Sequence, residues 1–159
     1  MAATNKLAVF VKPWKALSMA ELGAHMQQIG FEWIELPIRP GFPCQPDTIE
    51  RDLPEAAKIL GDYGVHILNV TVDLPMNDER LFAACAQADV DLNRVMFRRG
   101  DRNYWEAEKD ARQQLDTALP LCERYNVRVG VQNHARNFVG VHAMGLYHLL
   151  KDYDPRYIG

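Results

Sequence analysis

No apolar run in the 159 residues approaches the ~18 that a membrane-crossing helix needs, so a bilayer span is excluded. Cysteine is scarce. Cys44, Cys85 and Cys122 are odd in number and widely spaced, and no CxxC occurs. That excludes a disulfide framework or a zinc ribbon and predicts reduced thiols in a cytoplasmic protein. Positive charge is not in excess: 18 Lys+Arg stand against 21 Asp+Glu, for a net charge of −3. A nucleic-acid binder held by bulk phosphate attraction is therefore not expected. The opening stretch MAATNKLAVF has no basic region ahead of a long apolar one, so no leader peptide is expected. Glycine-rich phosphate loops, GxSxG and HExxH are all missing, which removes the commonest phosphate, serine-hydrolase and zinc-protease signatures. No low-complexity tract or linker interrupts the chain. With 48% hydrophobic and 25% charged residues the composition is that of an ordinary globular protein, read as a single domain over residues 1–159.

What is present is a beat of about thirty residues, the size of one βα unit. Strand candidates fall at Leu7–Val11, Trp33–Leu36, Val65–Val72, Val95–Phe97 and Val127–Val131, with the start of a sixth at Tyr157-Ile158. Helical patterns lie between them. Ser18 with Glu21 is a capping box, and Gly30 suits the helix end. Asp52 with Glu55 predicts the start of a second helix, with Pro54 in its first turn and Gly64 at its end. Asn77 or Asp78 opens a third. The fourth spans about Tyr104 to Tyr125, where Pro120 predicts a kink or break. A fifth runs from about His142 to Tyr153. Regular βα alternation predicts a parallel sheet, open or closed into a barrel.

Alternation within the strands favours the barrel. Val127, Val129 and Val131 share one face; Arg128, Gly130, Gln132 and His134 share the other. Ile34 and Leu36 oppose Trp33 and Glu35. Leu68, Val70 and Val72 oppose Ile67, Asn69, Thr71 and Asp73. Val9 and Val11 oppose Phe10 and Lys12, and Val95 and Phe97 oppose Arg94, Met96 and Arg98. Each strand thus has an aliphatic face suited to lie under a helix, and a mixed face turning polar toward its carboxyl end. An open sheet covered by helices on both sides would be apolar on both faces. A barrel with a site at its carboxyl-end mouth has the observed pattern.

The stretch Gly30-Phe31-Glu32-Trp33-Ile34-Glu35-Leu36 resembles the second strand of xylose isomerase-like TIM barrels, the sugar and sugar-phosphate isomerases and epimerases, which are related in fold to endonuclease IV. Val127-Arg128-Val129-Gly130-Val131-Gln132-Asn133-His134 resembles that family's fifth strand, which usually ends Glu-Asn-His. Asp154-Pro155-Arg156-Tyr157-Ile158-Gly159 resembles the entry to its sixth. The resemblance implies a (β/α)8 TIM barrel of which this chain holds about five βα units, a truncated barrel. It implies a divalent metal, Mn²⁺ or Mg²⁺, for the complete barrel. The metal position on the fifth strand falls on Gln132, a carboxamide that adds no charge and cannot act as a general base. The remaining ligands belong to strands beyond the fifth. Weak or no metal binding is therefore expected of this chain.

The residues expected to carry chemistry are Glu35, as acceptor for a substrate hydroxyl, and His134, as a proton shuttle, since histidine is the side chain that exchanges protons most readily near neutral pH. Lys12, Trp14, Asn69, Arg98 and Asn133 are expected to contact substrate. Lys12 or Arg98 is the expected ion partner of Glu35, since a buried carboxylate needs one. Arg98, Arg99 and Arg102 form a basic cluster that would suit a phosphorylated or carboxylated substrate, or would simply be a solvated loop. His25, His66, His142 and His148 have no ligand spacing and are read as packing or surface.

The expected function is that of a metal-assisted sugar or sugar-phosphate isomerase or epimerase, incomplete and inactive in the isolated chain. Two alternatives stand: a non-catalytic barrel fragment binding a small polyol or a partner, and a self-contained flavodoxin-like domain. The expected ligand is a small sugar or polyol, with no nucleic acid and no membrane. Exposed sheet edges predict self-association.

Overall fold

The computed structural model describes residues 6–159. Met1–Asn5, the start of the stretch read for a leader, lie outside the described residues. Strand and helix alternate throughout: β1 (Ala8–Phe10), α1 (Met19–Ile29), β2 (Trp33–Ile38), α2 (Ile49–Gly61), β3 (His66–Val72), α3 (Glu79–Gln87), β4 (Leu92–Val95), α4 (Tyr104–Tyr125), β5 (Arg128–Val131) and α5 (Ala143–Leu150). The strands form one sheet in the order β1-β2-β3-β4-β5, and every neighbouring pair is parallel. A flavodoxin-like sheet would place β1 between β2 and β3, so that alternative is excluded. The expected sixth strand begins on time: Val129 pairs in parallel with Ile158, and Val131 N–H donates to the Gly159 carbonyl at 2.7 Å. The outer side of β5 is thus already paired there, while among the described residues β1 is an edge.

The helix ends follow local chemistry. Ser18 and Glu21 form the capping box of α1, and Gly30 closes the helix at φ +81°. Asn103 and Glu106 form a second box at the start of α4. Each such cap contributes on the order of 1 kcal/mol. One expectation is corrected here. Helix α2 begins at Ile49, before Asp52. The Asp52 carboxylate instead accepts from the Thr48 hydroxyl and from Gln45 N–H at 3.2 Å, bracing the turn ahead of the helix from inside it. Pro54 therefore lies in the helix interior. Helix α4 runs unbroken through Pro120. The residue whose carbonyl this proline leaves free, Asp116, is exposed, as is Pro120 itself, so water can replace the lost bond. The buried face Ala107, Ala111, Leu115, Ala118 and Cys122 stays continuous.

The core lies between sheet and helices. Ile34, Ile38, Val70 and Val129 meet Leu22, Met26, Leu53, Leu60, Phe82 and Leu115, all essentially inaccessible. The three cysteines are free and buried in the same layer. Burial pushes the Cys44 and Cys85 thiols up to about 12 and the Cys122 thiol to about 11. Asn93 interrupts this apolar layer. It pairs with Val70 on one side and Val129 on the other, and its Oδ1 is buried without a hydrogen-bond partner.

Two irregularities set which side chains reach the mouth. Between Ile34–Ile67 and Glu35–Asn69 the β2–β3 register shifts by one residue, so Leu68 is a bulge. Ile67 consequently joins the buried helix-facing side, not the face of Asn69 that strict alternation predicts. At Pro37 the sheet loses a donor that would face β1. The loss is confined to the top of the strand: Val11 N–H still donates to the Glu35 carbonyl at 3.2 Å, and the Val11 carbonyl takes Trp14 N–H at 3.0 Å as the chain turns out of the sheet.

Candidate functional site

Partners in register on a parallel sheet point to the same side. Phe10 pairs with Glu35, Glu35 with Asn69 and Arg94 with Gly130. These residues therefore share the face opposite the helices, and Gln132 follows two residues after Gly130. Toward the carboxyl ends this face opens into a cavity of about 930 Å³ bordered by Phe10, Lys12, Glu35, Arg39, Asp73, Arg94, Met96, Arg98, Gln132, His134 and the 135–138 loop.

At its floor Arg94 spans three strands. Its Nε donates to Glu35 Oε1 at 2.5 Å, and its Nη1 donates to Gln132 Oε1. The Glu35 and Arg94 side chains are 17% and 15% exposed, and the guanidinium also lies 5.5 Å from the Phe10 ring centroid. The ion partner of Glu35 is thus Arg94, not the expected Lys12 or Arg98. Placing the fourth strand at Val95–Phe97 put Arg94 before its start. In the structure β4 begins at Leu92, three residues earlier, and Arg94 is an inward strand residue.

The other expected residues divide. Lys12 is exposed at the rim. Asn69 is buried beside Glu35. Arg98 stacks 4.9 Å over the Phe138 ring. His134 packs on the same ring at 4.5 Å, with Nδ1 3.0 Å from the Ala135 carbonyl. A carbonyl only accepts, so Nδ1 carries the hydrogen, and in the neutral ring Nε2 keeps its lone pair. Asn133 is exposed and does not border the cavity. Trp14 is not brought to the mouth: it packs against His25 of α1, 5.4 Å between rings, and against the core. Of the basic cluster only Arg98 borders the cavity. Arg102 donates to the Arg98 and Arg99 carbonyls and to Asp110, and Arg99 bonds Asn137 Oδ1 at 2.9 Å. Arg39 and Arg136, both on the rim, were not singled out from sequence, because Arg39 directly follows β2 and Arg136 lies in the irregular segment after β5.

Two further histidines, His142 and His148, make defined bonds away from the cavity. His142 caps α5 by accepting from Gly145 N–H at 3.1 Å. His148 Nδ1 meets the buried Glu108 carboxylate at 2.5 Å, and Arg112 approaches the same oxygen at 3.5 Å.

A divalent ion at this mouth does not fit the residues present. The one oxygen Gln132 could offer already accepts from Arg94, and the nearest carboxylate, Glu35, is paired with the same guanidinium. Among the described residues no group of three or more His, Cys, Asp or Glu side chains is placed to hold a metal.

No protein-family model matches the sequence, and comparison with curated proteins gave no match. Solved structures do match. A D-tagatose 3-epimerase-like protein superposes with TM-score 0.71 at 17% identity, over 98% of this chain and 63% of its own. An IolI protein with a bound zinc atom gives 0.70 at 13%, over 98% and 61%. A family 2 AP endonuclease from Brucella melitensis gives 0.73 at 12%, over 98% and 67%. The chain spans about three fifths to two thirds of the length of these structures. Its five parallel βα units carry the fold of the xylose isomerase-like TIM barrels, over the part of that barrel that the chain covers.

Proposed function

We propose that the mouth at the carboxyl ends of β1–β5 binds a small sugar or polyol, as part of an isomerase- or epimerase-like barrel. The observation that carries this reading is the Glu35–Arg94–Gln132 bridge at the floor of a large cavity on the lumen face. A charged pair in that position is costly to desolvate unless its remaining lone pairs and protons find partners, and sugar hydroxyls both donate and accept. In this reading the Glu35 carboxylate accepts from a substrate hydroxyl, Arg94 fixes its orientation, and Asn69 and Lys12 contact neighbouring hydroxyls. His134 accepts a proton at Nε2, the nitrogen its Ala135 contact leaves free. Gln132, held by Arg94, positions that guanidinium and takes no proton. Asn133 and Trp14 do not border the cavity and are given no role in it.

A metal would polarise a carbonyl or hydroxyl in the complete-barrel chemistry, but in this chain the Arg94 cation is bonded to Gln132 Oε1 and Glu35 Oε1 and opposes a second positive charge there. Proton transfer beside a carbonyl calls for a second acid–base group opposite Glu35, which Gln132 does not supply. The reading is therefore of a binding mouth first. The edge strand β1, with the 75% exposed Leu7 just ahead of it, belongs to the same proposal as the surface through which copies associate; sedimentation across a concentration series tests it.

The test of the mouth is heteronuclear NMR of the labelled chain titrated with D-tagatose. Shifts should concentrate at Gly130, the Gln132 carboxamide, His134 and Arg94 Nε, and should be lost in Glu35→Ala. Shifts confined to other surfaces, or none, would end the reading.

A further inference from the structure

We propose that the ligand of this mouth carries an anionic group, a phosphate or carboxylate, gripped by Lys12, Arg98 and Arg136 with Arg39 behind them. This deepens the sugar-site reading and rests on it.

The charge around the cavity is opposite to that of the chain. Five basic side chains border it, Lys12, Arg39, Arg94, Arg98 and Arg136, against two acidic ones, Glu35 and Asp73, in a chain of net charge −3. Arg94 is neutralised by Glu35. Arg39 is only loosely held: its Nε lies 4.0 Å from Asp73 and is buried with no hydrogen-bond acceptor. Lys12, Arg98 and Arg136 make no ion pair among the described residues. Lys12, Arg98 and Arg136 are exposed to the solvent that fills the cavity, and cations gathered round a concave surface focus a positive potential into it. A bound anion would give the exposed guanidinium groups of Arg98 and Arg136 charge-assisted, bidentate partners in place of water.

The backbone holds these groups in place rather than leaving them on free loops. Arg98 and Phe138 form an antiparallel bridge. Val139 N–H donates to the Phe97 carbonyl at 2.8 Å, and Arg99 N–H donates to the Asn137 carbonyl at 3.0 Å. Phe138 then carries Arg98 on its ring. Arg136 itself adopts φ +73°, a left-handed conformation that costs a non-glycine residue on the order of 1 kcal/mol. Strain of this kind persists only where the surroundings impose it, and it gathers at ligand clamps. Arg99 and Arg102 are consumed by the structural bonds already described, so the grip is a different set from the run of arginines visible in sequence.

The experiment is calorimetric titration of the chain with D-ribose 5-phosphate, D-ribose, D-ribonate and inorganic phosphate. D-ribose 5-phosphate or D-ribonate should bind at least about tenfold more tightly than D-ribose, and whichever of the two is tighter identifies phosphate or carboxylate. Arg98→Gln combined with Arg136→Gln should remove that preference and leave D-ribose binding within about twofold. Arg128→Gln, at the far end of β5 and paired with Asp91, should change nothing. D-ribose binding as well as both its anionic relatives would overturn the proposal while sparing the sugar site. An undiminished preference in the double variant would also overturn it. Inorganic phosphate binding as tightly as D-ribose 5-phosphate would sustain the anion grip and remove the sugar reading. No binding of any probe would overturn both.

Discussion

The guanidinium of Arg94 donates to the carboxamide oxygen of Gln132, a residue 38 positions later in the chain and one strand away. The fifth-strand oxygen is thereby engaged by an internal cation. Hard divalent ions are held chiefly by carboxylates, so Mn²⁺ should bind weakly or not at all to the unmodified chain. Gln132→Glu alone should not change this, because the new carboxylate would meet the same guanidinium. Arg94→Met added to Gln132→Glu frees two carboxylates at once and should raise Mn²⁺ affinity measurably. Calorimetry of the three chains decides it; tight binding by the unmodified chain would show that the ligands lie elsewhere.

The same guanidinium should stabilise the fold as one half of a pair. Removing Arg94 with Met leaves Glu35 charged and largely buried, at a cost of about 3 kcal/mol. Glu35→Gln in the Arg94→Met background should recover much of that loss. Urea denaturation of the double-mutant cycle should give a coupling of a few kcal/mol between the two residues. Additive single-site losses would mean that the pair is energetically idle.

Asn93 makes a contrasting prediction. Its Oδ1 lies unpartnered on the apolar side of the sheet, between Val70 and Val129. Asn93→Val should therefore stabilise the chain by about 1–2 kcal/mol, raising Tm by a few degrees in a chain of this size. A lower Tm would indicate a hydrogen bond that the static structure does not contain.

The buried thiols make stability fall in alkali. In the unfolded chain they ionise near ~8.5; in the native chain Cys44 and Cys85 hold their protons to about 12 and Cys122 to about 11. In that window the unfolded state binds fewer protons, so stability drops as pH rises, by about 1.4 kcal/mol per pH unit for each thiol. Below pH 8 the effect vanishes. Circular-dichroism melts from pH 8 upward should show a steep decline, shallower in Cys85→Ala. All three thiols should resist a disulfide reagent at neutral pH until the chain unfolds.

The rhythm of the fold is plain in the sequence. The thirty-residue spacing, the Ser18–Glu21 cap, Gly30 and the polar carboxyl-end tips all mark structure that local chemistry enforces. Phase within a strand is less visible. Leu68 is an ordinary strand residue by composition, and only the register with β2 makes it a bulge and sends Ile67 to the helix side. β4 opens with Leu92-Asn93-Arg94, whose polar residues hide a strand, because Asn93 is buried without compensation and Arg94 is buried by a partner 59 residues away. A carboxylate can be foreseen to need a cation; which of several arginines arrives depends on tilt and register, which no short window encodes.

The ladder of the sheet does not stop where β4 and β5 end. Through Arg98 and Phe138 it continues into the two loops, now running antiparallel, as a small brace on the mouth's wall. Main-chain atoms, with the side chains of Arg99, Arg102 and Asn137, make that brace, which leaves Arg98, Arg136 and His134 free of the task of holding the wall up. Arg98, Arg136 and His134 could be exchanged for other groups with the wall still standing. Such a rim can be retuned toward a differently charged ligand one residue at a time, with the barrel beneath it untouched.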